Sequence, residues 1–186
     1  ISCFVSSLFL IPYCSWGEQC GAHDECNVAS DAQSDYQEQS VASATDSINA
    51  AGISDGSDAA IPDVSYKTHI SGIGWERSYA NNGSVSGTTG QSRRIEALRV
   101  SLANSDGLGI QYRAHVQSIG WQDWVADGAV SGTTGKSLRV EAVELKLTGA
   151  KADEYDLYYR VHASNFGWLG WASNGATAGS TGWSYA

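Results

Sequence analysis

A unit of about 46 residues occurs three times in the last two thirds of this chain, and that periodicity limits the fold more than any other feature. Val64-Ser-Tyr66-Lys-Thr-His69-Ile70 aligns with Ile110-Gln-Tyr112-Arg-Ala-His115-Val116 and with Leu157-Tyr-Tyr159-Arg-Val-His162-Ala163, the tyrosines standing 46 and 47 residues apart. Six residues after each His comes a Gly-Trp pair: Gly74-Trp75, Gly120-Trp121 and Gly167-Trp168. A second aromatic (Tyr79, Trp124, Trp171) precedes a turn signal (Asn82-Gly83, Asp127-Gly128, Asn174-Gly175), and a Gly-Thr-Thr-Gly loop follows at Gly87 and Gly132, read Gly-Ser-Thr-Gly at Gly179. Two copies run on through Arg94-Ile95-Glu96-Ala97 and Arg139-Val140-Glu141-Ala142 into alternating apolar residues. The third reaches Ala186 before that segment, so the unit is expected to be cut there.

The local pattern is that of strands. Leu98, Val100 and Leu102, or Val143, Leu145 and Leu147, alternate with Arg99 and Ser101, or Glu144 and Lys146, as half-buried strands do. Asn-Gly and Asp-Gly mark tight turns with positive φ. With 21 Gly against two Pro and seven Trp, the composition also favours a turn-rich β protein. A unit of this size cannot build a core by itself, whereas three closing around one axis can. The expected fold is therefore all-β, a β-trefoil-like pseudo-threefold assembly with a β-prism as the alternative. The repeats are placed at 64–109, 110–156 and 157–186.

The segment before the repeats is a different physical object. All 11 Lys and Arg lie beyond residue 63, whereas half of the 20 acids lie at or before it. Ile1 to Cys14 is an apolar run broken by Pro12, too short for a transmembrane helix and of the length of a signal h-region. Residues 1–22 are accordingly read as a signal-peptide remnant, with the start of the gene product expected upstream; the alternative is a buried strand. Cys20 and Cys26 could pair in an oxidising compartment. Residues 23–63, dominated by Ser, Ala, Asp, Gln and Gly, read as a disordered acidic linker unable to offset the cost of ordering its backbone. A formal net charge of −9 argues against nucleic acid as a partner. It argues equally against docking on anionic lipid, and no membrane insertion of the mature domain is expected.

The Tyr-x-x-His, Gly-Trp and Gly-Thr-Thr-Gly elements at this spacing resemble the clostridial hydrophobic repeat built around a Gly-Trp pair, the ChW repeat, across residues 64–186. The resemblance implies a secreted or surface protein of Gram-positive bacteria with a role in extracellular binding or adhesion. Departures are small: one extra residue between Trp75 and Tyr79, and Trp183 where the other copies have Gln91 or Lys136.

Because each feature recurs once per copy, most are read as structural: Tyr66, Tyr112 and Tyr159; His69, His115 and His162; Glu96 and Glu141, each braced by Arg94 or Arg139. Trp75, Trp121 and Trp168 are read as core packing, since an indole buries roughly 150–250 Å². Tyr79, Trp124 and Trp171 divide between packing and a surface role. As candidate ligand-binding residues they are grouped with Asn82, Asp127 and Asn174, since an exposed ring beside amides and carboxylates suits a sugar. Three His on a threefold axis could bind a metal, but imidazoles held by carbonyls or carboxylates are the commoner outcome; no metal site and no cofactor are expected. No unequal nucleophile–base–acid constellation and no facing carboxylate pair is apparent, so no enzyme is expected. The function expected is a non-catalytic extracellular or cell-surface module that binds a glycan or cell-wall polymer. A protein–protein adhesion or assembly module, and an accessory domain of a secreted hydrolase, are the alternatives.

Overall fold

The computed structural model describes residues 5–14 and 62–181, and these are all-β. Strand β1 is Val5–Cys14. The first repeat supplies β2 (Asp63–Ile70), β3 (Gly74–Trp75), β4 (Ala80–Asn81), β5 (Ser86–Gly87) and β6 (Ile95–Ala103). The second supplies β7 (Gly109–Val116), β8 (Gly120–Trp121), β9 (Val125–Ala126), β10 (Ser131–Gly132) and β11 (Val140–Thr148). After a 3₁₀ turn at Ala152–Glu154, the third supplies β12 (Tyr155–Ala163), β13 (Gly167–Trp168), β14 (Ala172–Ser173) and β15 (Ala178–Gly179). Cys20, Cys26, Trp183 and almost all of the acidic linker lie outside the described residues.

Alternation dictates the long strands. In β2, Val64, Tyr66, Thr68 and Ile70 are buried while Ser65, Lys67 and His69 are half-buried, and β7 repeats the pattern. Each lobe centres on an antiparallel pair, β2 with β6 and β7 with β11. The sheets then borrow from the next copy: β10 pairs with β6 through Ser131↔Leu98 and Gly132↔Ala97, and β15 pairs with β11 through Ala178↔Val143 and Gly179↔Ala142. Three sheets result, interlocked by these two-residue seams. Their inner faces share one core that includes Val64 and Val100, Ile110 and Leu145, Leu157 and Val161, so the lobes stabilise each other.

The apolar run at the N-terminus is one of these strands. β1 pairs antiparallel with β12 from Val5↔Ala163 to Cys14↔Tyr155, and with β5 through Ser7↔Gly87 and Leu8↔Ser86. That is the position β6 and β11 hold in the first two lobes, including a bulge one residue before the small residue that faces the glycine. The run, expected as a signal-peptide remnant because no apolar partner lies near it in the chain, has its partner in β12, far along the sequence.

The three tyrosines are fully buried and fasten the lobes. Tyr66, Tyr112 and Tyr159 donate their hydroxyls to the carbonyls of Ser84, Ala129 and Ala176 in their own turns. Tyr159 also accepts from Leu145 N of the preceding lobe at 3.1 Å. Burial is the main cause that pushes the Tyr159 hydroxyl from 10.0 up to about 12, with the Leu145 N–H opposing it and Glu144 adding to it. Burial raises Tyr112 as well. The unfolded chain therefore loses these protons first as pH rises, and the stabilisation, complete below pH 10, is lost as pH climbs from there towards 12. Thermal midpoints measured from pH 8 to pH 12 should fall above pH 10. Tyr159→Phe should be less stable at pH 8 but show a shallower alkaline fall; an equally steep fall in the variant would remove Tyr159 as the cause.

Candidate functional site: the outer faces of the lobes

The half-buried residues of each central pair form an outer face, and the Gly-Trp strand lies along it. Trp75 pairs in register with His69, Trp121 with His115 and Trp168 with His162. Since His69 is on the outer face, so is Trp75; the three indoles are half-buried there and not in the core expected for them. Each meets its His edge-on, with centroids 5.3 to 5.4 Å apart.

Cations fix the second aromatic. Arg113 lies over Trp121 at 4.9 Å and over Trp124 at 4.7 Å, and Lys146 covers Trp124 at 4.3 Å. Arg160 repeats this between Trp168 at 4.8 Å and Trp171 at 4.6 Å. In the first lobe the shorter Lys67 reaches only Tyr79, at 4.5 Å, and Arg99 from β6 covers Trp75 at 4.9 Å. Glu144, opposite Arg113 in register, binds it at 2.7 Å and accepts from Thr177 of the third lobe. Each cation–ring contact is worth about 0.5–2 kcal/mol depending on desolvation, enough to fix a ring but not to hide it. Trp171 stays 48% exposed and Tyr79 41%, while Trp124 is half-buried.

The turn residues grouped with these rings behave differently. Asn82 accepts from Val64 N at 2.9 Å and donates to Asp63; Asn174 accepts from Leu157 N at 2.9 Å and donates to Asp156. Asn82, Asp127 and Asn174 all have positive φ, and the glycines after Asp127 and Asn174 donate to Val100 O and Leu145 O of the preceding lobe. The two amides are thus engaged within the fold, and the turns serve the lobe junctions. Asp127 is exposed at its turn.

In the first two lobes, Glu96 and Glu141 collect the histidine and an arginine. His115 Nδ1 lies 3.1 Å and Arg139 2.7 Å from Glu141; His69 lies 3.3 Å and Arg94 3.0 Å from Glu96. Two residues with no role in the sequence reading also matter. Glu76, after Trp75, accepts from Thr68 N and Gly87 N, and Gln122, after Trp121, exchanges hydrogen bonds with the Gly132 backbone. The third copy has Leu169 there, which cannot. The signal was the side-chain type directly after each Gly-Trp pair.

Among known protein families, the model of Clostridial hydrophobic W repeats matches residues 69–104, 115–149 and 162–186, just over half of the chain. No curated protein and no solved structure matches it.

Proposed function

The chain belongs to the clostridial hydrophobic W (ChW) family, and from that premise we propose that it is a non-catalytic module, extracellular or on the cell surface, that binds a glycan or cell-wall polymer through the outer faces of its lobes. The observation that carries this reading is the second aromatic. The same position in each copy holds a ring stacked on a cation, and in two copies that ring is more than two fifths exposed. A ring already immobilised loses little entropy when a sugar's C–H face stacks on it. We read the three sheets as faces about a pseudo-threefold axis, in a β-prism-like rather than trefoil-like arrangement. The confinement of pairing between lobes to two-residue seams supports this. Such an axis would present three weak sites to one polymer, and avidity could then exceed any single affinity by roughly 10²–10⁴.

The double variant Trp124→Ala/Trp171→Ala should lose at least roughly 10-fold in retention on isolated Gram-positive cell walls, since truncating an anchoring ring typically costs 2 kcal/mol or more. It should stay folded with a thermal midpoint lower by several degrees, since three cation–ring contacts are lost but neither ring is in the core. Unchanged retention by the folded variant rejects the platform. A protein–protein adhesion role is the second reading, favoured by the exposed turn tips Ile73, Ile119 and Phe166. It requires binding to disappear when the walls are treated with protease beforehand and to be indifferent to free sugars.

A further inference from the structure

The turn after each central strand carries an apolar residue at its tip. Ile73, Ile119 and Phe166 donate their backbone N–H groups to the carbonyls of Ile70, Val116 and Ala163, which closes the same turn in all three copies. Their side chains are 54%, 51% and 50% exposed. A single exposed apolar residue needs no explanation, but turns ordinarily take polar residues and glycine, and three equivalent tips form a pattern.

The strand order brings the three tips to one end. β10 follows Asp127, whose N–H meets Ile110 O, and finishes at Gly132, which donates to the side chain of Gln122. The backbone N–H of Gln122 in turn meets Ala114 O, so β10 runs parallel to β7. Being antiparallel to β6, it runs parallel to β2 as well. The third lobe repeats the connection through β15 and β11. Strands β2, β7 and β12 thus point the same way, and the turns that follow them leave the shared core at one end.

Charge is sorted along the same direction. At the tip end stand Arg93, which donates to Ser71 O of the first turn at 3.0 Å, and Lys136, exposed in the loop leading into β11. The carboxylates there, Glu96 and Glu141, are each matched by Arg94 or Arg139. At the opposite end, where Ala103 pairs with Asp63 and Thr148 with Gly109, lie Asp106, Asp127, Asp153, Glu154 and Asp156 against Lys151. The net charge of −9, which argues against anionic lipid for the chain as a whole, therefore does not describe the end that bears the apolar tips.

We infer that the tip end is a membrane-contact surface, on which Ile73, Ile119 and Phe166 enter the headgroup region of an anionic bilayer while Arg93 and Lys136 meet its phosphates. The domain lies on the bilayer without spanning it. Each tip directly precedes a Gly-Trp pair, so Trp75, Trp121 and Trp168 follow close behind the inserted residues, at the depth amphipathic rings prefer. Three shallow insertions and two cations are weak one by one; together they give reversible binding that needs both terms. A zwitterionic bilayer offers the apolar layer without the attracting field.

Vesicle sedimentation tests this with the full chain. The vesicles are phosphatidylcholine, alone or mixed equally with phosphatidylglycerol, at low and at high salt. Binding is expected on the mixed vesicles, and should be at least roughly 10-fold weaker on phosphatidylcholine alone or at high salt. Ile119→Ser and Lys136→Glu should each weaken it roughly 10-fold, and Ile73→Ser/Ile119→Ser/Phe166→Ser should abolish it. All three tips are exposed, so the triple variant should keep its fold, which circular dichroism checks. Val85→Ser/Val130→Ser removes exposed apolar residues away from the tips and should bind as the wild type does. So should Trp124→Ala/Trp171→Ala, whatever becomes of its retention on cell walls, so that failure of either reading leaves the other standing. No binding of the wild-type chain to mixed vesicles, undiminished binding by the folded triple variant, or a loss shared by Val85→Ser/Val130→Ser overturns the inference. Protease-sensitive wall retention that disappears in the triple variant, without vesicle binding by the wild type, would assign the tips to a protein partner and overturn it as well.

Discussion

Gly132→Ala is expected to lower the thermal midpoint of the domain by roughly 10–15 °C, whereas Gly135→Ala, three residues on in the same loop, should lower it by only a few degrees. Both glycines have positive φ, +108° and +71°, so both substitutions carry backbone strain. Only one meets a wall. A Cβ on Gly132 would stand 2.4 Å from Glu96 O and 2.5 Å from Ala97 Cα, backbone atoms that cannot move aside alone, while a Cβ on Gly135 has nothing within 4 Å. Making room means parting β10 from β6, which breaks the Thr133 N–Glu96 O bond at 2.8 Å and one of the seams that let the lobes share a core. A cost of about 3–5 kcal/mol follows, in the range reserved for strain combined with overpacking. Gly179 has the same geometry against Glu141 O and Ala142 Cα, and Gly179→Ala should behave like Gly132→Ala. Calorimetric melting of the three variants decides it: similar losses at Gly132 and Gly135 would mean that the seam yields and that strain alone is being measured.

The same residues show what a sequence can disclose here. Period-two alternation placed the long strands and their inward set, because burial of one face writes itself into every second residue; Tyr66, Tyr112 and Tyr159 fall in the core for that reason. The Gly-Trp pairs were legible as strand starts but not by face. An indole's size suggested the core, while its side is set by pairing with His69, His115 and His162, a register that lies in the tertiary structure. Lys67, Arg113 and Arg160 stand in the repeat motif itself, yet their place against the rings depends on how far the next strand carries each aromatic. The turn glycines and asparagines signalled positive φ correctly, but not that Gly128 and Gly175 would donate to the preceding lobe. Contacts between copies are invisible to a reading that aligns the copies with one another.

Removal of residues 1–22 should destabilise the domain by at least ~4 kcal/mol, a large part of the 5–15 kcal/mol that usually separates folded from unfolded. β12 would lose the partner it meets from Tyr155 to Ala163, and β5 its only neighbour on the β1 side. Each backbone hydrogen bond of such a ladder is worth a net 0.5–1.5 kcal/mol, more when an unpaired group stays buried. The loss also uncovers a core edge, since Leu157, Tyr159 and Val161 on β12 are fully buried in the intact domain. Hydrogen exchange localises the effect: the amides of β12 and β5 should lose protection by two or more orders of magnitude, while β7 and β11, paired with each other at the second lobe, should lose less. The two readings of the apolar run part here. A segment that serves only for export can be removed without cost to the fold, so equal stability and exchange with and without it would return the run to that role. A strand that stands for β6 and β11 in the third lobe cannot be spared, and its loss should be felt first at the seam where Ser7 faces Gly87.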